Sequence, residues 1–252
     1  MPPAKTVCDA APHPEDVRVV AHDGRGYIFV ERSASRVQHA LRLLTLLSIC
    51  GDLTGGLDPA GMTAVIRSEK RLQALDFWLR NPDYLADEML NLIDDGTMAD
   101  SYVQTAQTLL ASEEPQLHHY PMPKWFYGAY EAVDDAMALL ETYGLARVWR
   151  LGVPPKRLQN SFFLTAEGAR AAGELASTFG LDWYARQAKL VHRVAGSDSG
   201  NRLKERQYAQ EDYAKTRWGR EISSIAEQVR QRLTEGAPLS ARCAWDQEKG
   251  QA

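Results

Sequence analysis

Apolar residues return every three or four positions through most of this chain, and that spacing predicts a mainly helical fold. Residues 35–50 carry the strongest pattern, with Val37, Ala40, Leu41, Leu44 and Leu47 on one side and Leu43 beside them. Gly51, Gly55, Gly56, Gly61 and Pro59 mark residues 51–61 as a loop. Further helices are expected over residues 62–78, 84–93 and 101–111, broken at Asn81-Pro82-Asp83 and at Asp94-Asp95-Gly96. Near the start, β-rich runs at 17–20 and 27–30 flank Asp23-Gly24-Arg25-Gly26, which predicts a hairpin.

Residues 124–176 give the most informative succession. Ala132, Val133, Ala136, Leu139, Leu140 and Tyr143 line one helical stripe, and Gly144 follows where a left-handed helix stop needs glycine. Ala146, Val148 and Trp149 read as a strand. A turn-rich segment with Gly152, Pro154 and Pro155 leads to a second strand at Phe162, Phe163 and Leu164. Thr165 is placed to cap a new helix with Gly168 in its first turn. Helix, strand, loop, strand, helix is the layout of a winged-helix unit.

Beyond it, residues 181–194 are amphipathic, with Leu181, Tyr184, Ala188 and Val191 on one side, and residues 195–201 read as a linker. Residues 202–233 then predict one long helix whose thin apolar stripe suggests docking on a partner. The expected organisation is an arm and hairpin (1–34), a helical domain (35–117), a winged-helix domain (118–180) and a basic helical extension (181–252). The expected fold class is mostly α with small β content.

Charge divides the chain. The net charge is −4 over 252 residues, yet residues 186–232 hold 11 Lys and Arg against 6 Asp and Glu, and the remainder holds 18 against 27. Bulk charge therefore gives no general pull toward nucleic acid, and the basic character lies near the C-terminal end. Cys8, Cys50 and Cys243 are scattered and odd in number, which points to a reducing compartment. The apolar run at 41–50 is too short to span a bilayer, and no leader pattern opens the sequence. A cytoplasmic protein without membrane partners is expected.

The candidate chemistry is sparse. Gly51 and Gly56 have phosphate-loop spacing, but Leu57 and Asp58 stand where Lys and Ser/Thr are needed. His118-His119 lacks the third and fourth ligands of a zinc site. Asp94-Asp95 and Asp134-Asp135 are adjacent pairs whose members point in different directions on a helix, as in caps or solvated faces. Cys50, in an apolar helix, reads as a buried thiol. Arg67, Lys70 and Arg71 read as a solvated basic face. No catalytic residue, cofactor site or metal site is expected, and the chain reads as a non-enzyme.

A winged helix that reads DNA brings its recognition helix past phosphates, which calls for flanking bases. Here residues 128–143 contain Glu131, Asp134, Asp135 and Glu141 and neither Lys nor Arg. The wing supplies Arg147, Arg150, Lys156 and Arg157 as candidate contacts to a DNA backbone. Tyr208, Tyr213, Trp218, Ile222 and Ile225 are the candidate partner-binding residues of the C-terminal helix.

The apolar helix RVQHALRLLTLLSICG, the pairs Arg71-Leu72, Leu75-Asp76 and Phe77-Trp78, and the later segments LLETYGLARV and FFLTAEGARAAGEL resemble the middle components of bacterial three-component defence systems built around an SMC-like ATPase, the Lamassu type among them. The resemblance spans residues 36–175. It implies a non-enzymatic winged-helix adaptor that binds the ATPase and an effector subunit and assists non-specific DNA engagement. The rival reading is a dimeric winged-helix transcriptional regulator, which the Leu164-Thr165-Ala166-Glu167-Gly168 turn and the wing bases would serve.

Overall fold

The computed structural model describes residues 17–22, 28–32, 36–111, 122–126, 128–151 and 159–236. The fold is mostly helical with a small antiparallel sheet. Strands β1 (Val17–His22) and β2 (Ile28–Arg32) form the expected N-terminal hairpin as a separate pair. Helix α1 (Arg36–Cys50) follows, then β3 (Asp52–Leu53), β4 (Met62–Ile66), α2 (Glu69–Arg80), α3 (Pro82–Asp94) and α4 (Val103–Ala111). Next come the short pair β5 (Lys124–Trp125) and β6 (Gly128–Ala129), helix α5 (Asp134–Thr142), strands β7 (Ala146–Leu151) and β8 (Gln159–Thr165), and α6 (Ala166–Ser177). Helices α7 (Asp182–Ala195), α8 (Gly200–Ala209), α9 (Glu211–Lys215) and α10 (Ala226–Gly236) complete it.

The expected helix, strand, strand, helix succession is present as α5, β7, β8 and α6. Gly144 turns the chain out of α5 at φ 69°. The Thr165 hydroxyl accepts the Gly168 N–H at 2.9 Å and itself reaches the carbonyls of Gly144 and Leu145. One side chain thus caps α6 and ties it to the end of α5. The sheet order is β3-β4-β8-β7, with Ala64 opposite Leu164 and Val65 opposite Phe163. The hairpin β7–β8 is therefore completed by β4, a segment about a hundred residues earlier.

Two expected helices are corrected. Residues 62–66 are a strand: Val65 and Ile66 are β-branched and pair with Phe163 and Phe162 of β8, and the helix starts only after Ser68, whose side chain accepts the Arg71 N–H at 3.2 Å. The long helix over 202–233 is three helices. The chain leaves helical geometry at Gln210, Thr216 and Gly219, the last at φ 72°.

Helix α2 lies at the centre and is buried continuously from Arg71 to Arg80. It packs against α1, α3, α7 and α8. A helix enclosed on all sides must satisfy its polar residues internally. Arg71 does so by donating to the carbonyls of Gly196 (3.0 Å) and Asp198, so it is not part of a solvated face. That contact holds the 196–199 turn against the start of α2. Phe77 of α2 meets Tyr84 and Tyr213 edge-on at 5.0 and 5.1 Å, which joins α2, α3 and α9 in one core.

Candidate functional site

The four expected DNA-contacting bases part company. Arg147 is half-buried and donates to the Glu141 carbonyl at 2.8 Å, satisfying the end of α5. Arg150 is exposed and faces a cleft described below. Lys156 and Arg157 lie outside the described residues, as does His118-His119. Asp134 and Asp135 are exposed in the first turn of α5, where carboxylates suit the helix dipole. Asp95 accepts the Thr97 N–H at 2.9 Å, and Asp94 pairs with Arg232 at 2.6 Å. In the 51–61 loop, Asp58 accepts from Gly55 N and holds both Arg67 guanidinium nitrogens at 2.8 Å. That pairing pulls the Asp58 carboxyl down to about 2.

The expected partner-binding residues are largely a core set. Tyr213, Ile222 and Ile225 are buried in the chain's own interior, which removes them as contacts for a partner. Their apolar stripe is thin because it is shared among three short helices and segments, each closing a different part of the core. Tyr208 is half-buried, with the Lys124 ammonium 4.9 Å from its ring centroid. Only Trp218 is exposed, at 66%.

Trp218 does not stand alone. Lys124 of β5 takes a hydrogen bond from Gly219 N at 2.7 Å and donates its own N–H to Arg220 O at 2.9 Å, so the 219–222 segment runs along β5. The Lys124 ammonium also caps α9, donating to the carbonyls of Tyr213 (2.9 Å) and Ala214 (2.6 Å). These bonds bring Trp125, Phe126 and Trp218 onto one surface, with Phe126 and Trp218 rings 5.4 Å apart. All three are at least half exposed. Exposed Arg217 and Arg220 flank Trp218.

A second cluster lies inside the fold. Arg42 of α1 donates to Asp76 at 3.1 Å and to Glu131 at 3.4 Å, while Arg80 pairs with the same two carboxylates. Gln73 brackets Glu131, accepting its N–H at 3.1 Å and donating to its carbonyl at 2.5 Å. His39 stands 3.7 Å from Glu131, and burial lowers its pKa. Burial opposes ionisation of Asp76, yet Arg42 and Arg80 beside it hold its carboxyl below the ordinary range. His39, Asp76 and Glu131 have ligand atoms within 4.8 Å of one another. The two guanidiniums already balance the two carboxylates, and a cation would have to displace them against their repulsion. The arrangement is an internal weld of α1, α2 and the 131 segment.

A cleft of about 800 Å3 lies between the first turns of α2 and α8, strands β7 and β8, and Tyr130. Lys70, Arg150 and Lys204 line it together with the amides of Gln73 and Asn201. No spacing in the sequence signals it, because its cations come from α2, β7 and α8. No family model, no curated protein and no solved structure matches the chain. Among the described residues no helix is long and apolar enough to cross a membrane.

Proposed function

We propose that this chain is a non-enzymatic winged-helix adaptor subunit that acts in the cytoplasm and docks on an SMC-like ATPase in a bacterial antiphage or anti-plasmid assembly. The observation that carries the binding role is the exposed aromatic surface of Trp125, Phe126 and Trp218. Clustered surface aromatics flanked by arginine have the composition of interaction hot spots, and a chain that met only water would gain nothing from holding them out. The family of the partner rests on the sequence resemblance. Exposed Asp134 and Asp135 on α5, and Arg147 turned inward onto α5, support this reading over the DNA-reading regulator, because α5 then presents acids to a phosphate backbone and Arg147 is taken up by the Glu141 carbonyl.

The test is co-expression of the tagged chain with its genomic neighbours, followed by mass spectrometry of what co-purifies. An SMC-like ATPase in fixed ratio, reduced about tenfold by the triple change Trp125→Ala, Phe126→Ala and Trp218→Ala, is the expected result. Purification of the chain alone, as a dimer that binds its own promoter, would replace the proposal with the regulator.

A further inference from the structure

The cleft between α2 and α8 gathers cationic side chains that adaptor docking leaves unexplained. Lys204 is 7% exposed, yet among the described residues no carboxylate lies within ion-pair distance of it. Its ammonium donates to the Ala129 carbonyl at 2.9 Å, which leaves further N–H groups for another acceptor. Arg150, which also lines the cleft, likewise pairs with no carboxylate among the described residues. Lys70 completes the set, reaching Asn201 at 3.0 Å. The one acid on the wall, Glu69, accepts from Asn160 at 3.3 Å.

Backbone geometry adds to the side chains. Ser68 and Ser199 cap two helices of 12 and 10 residues whose first turns both border the cleft. Their positive dipole ends favour an anion there. The two starts are pressed together at Gly200, where a Cβ would stand 2.6 Å from Arg71 N and 2.9 Å from the Ser68 hydroxyl. Glycine at that position permits the convergence.

We propose that this cleft binds a phosphate-bearing small molecule of about nucleotide size, with Lys204, Lys70 and Arg150 on the phosphates and Tyr130, Gln73 and Asn201 beside the remainder. An 800 Å3 recess is of the volume that encloses such a ligand. Duplex DNA is the less suitable anion, because its backbone cannot descend to a lysine that is more than nine-tenths buried. Burial lowers the Lys204 pKa to about 7, with Asp76 opposing and Lys70 adding to the shift. The charged groups around it are thus Asp76, Lys70 and Glu69 of α2 and Arg150 of β7. A bound phosphate would favour the ammonium, so binding at pH 8 takes up a proton.

Titration calorimetry of the full chain with ADP and with inorganic pyrophosphate, in buffers of different ionisation enthalpy at pH 8, tests the assignment. Saturable binding with proton uptake is expected, weakened about tenfold or more by Arg150→Ala and by Lys204→Met. Arg150 is exposed, so its variant folds irrespective of Lys204. The inference is overturned if neither probe saturates, if binding is unchanged in Arg150→Ala, or if only duplex DNA binds in an Arg150-dependent way. Trp125, Phe126 and Trp218 lie outside the cleft, so the docking proposal stands or falls separately.

Discussion

Arg42 of α1 and Asp76 of α2 meet at 3.1 Å with both side chains sealed from solvent, at 1% and 2% exposure. A buried pair of this kind is a poor source of net stability but an expensive one to halve, since the surviving charge has nowhere to go. Arg42→Met is therefore expected to lower the free energy of unfolding by about 3–5 kcal/mol. Urea titration checks this. The double variant Arg42→Met, Asp76→Leu should recover part of the loss, and a single variant within about 1 kcal/mol of wild type would show the pair to be dispensable.

His39 gives the same cluster a pH signature. Its native pKa lies below its ordinary 6.5, chiefly through burial. The unfolded chain then takes up a proton that the native fold refuses, so stability is complete above about pH 6.5 and declines as pH falls below it. Asp76 adds a further loss at lower pH, as its depressed native pKa is approached from the unfolded value near 3.9. Thermal melts between pH 7.5 and 5 should show a falling midpoint, with a shallower fall in His39→Gln.

The hairpin and helix around Thr165 were legible because their signals are local. Gly144 and Thr165 specify a stop and a start within a few residues of the elements they bound. β4 was illegible for the opposite reason: its five residues abut a helix, and their identity as a strand comes from β8, a hundred positions away. Tyr213 looked free for a partner because Phe77 and Tyr84, the rings it meets, belong to other helices. The cleft was hidden too, since Lys70, Arg150 and Lys204 share no spacing.

Thr165 and Gly168 make this local specification testable. Loss of the capping hydroxyl in Thr165→Ala should cost about 1 kcal/mol, within the usual range for caps. Gly168→Ala should cost more, because its Cβ would fall 2.0 Å from the Leu145 carbonyl oxygen and 2.8 Å from a Leu164 methyl. Chemical denaturation of both variants checks the order. A Gly168→Ala chain as stable as wild type would mean that α6 shifts freely on β8.

Lys204 predicts a stability change on the alkaline side. Its native pKa of about 7 lies far below the ordinary 10.5, with burial the leading cause. Between those values the unfolded chain binds more protons than the native one, so stability rises with pH from about 7 toward 10. Lys204→Met should flatten that rise in melts without added ligand. Pyrophosphate should flatten it as well in the wild type, by restoring the native ammonium, if the cleft holds a phosphate.

Trp218 and Tyr213 separate docking from folding most cleanly. They are five residues apart, and both were candidates for one partner-binding stripe. Tyr213 is fully buried, its hydroxyl accepts the Ala129 N–H at 2.7 Å, and its ring packs on Phe77 and Tyr84. Tyr213→Ala should cost about 3–5 kcal/mol of stability, the range for large buried aromatics, and weaken partner recovery only by depleting folded chain. Trp218 is 66% exposed, so Trp218→Ala should move stability by about 0.5 kcal/mol or less while lowering recovery of the proposed ATPase partner from folded chain severalfold. Denaturation midpoints and pull-down yields measured on the same preparations distinguish the two. If Trp218→Ala leaves recovery unchanged, the aromatic surface is not the docking face, whatever the buried residues do.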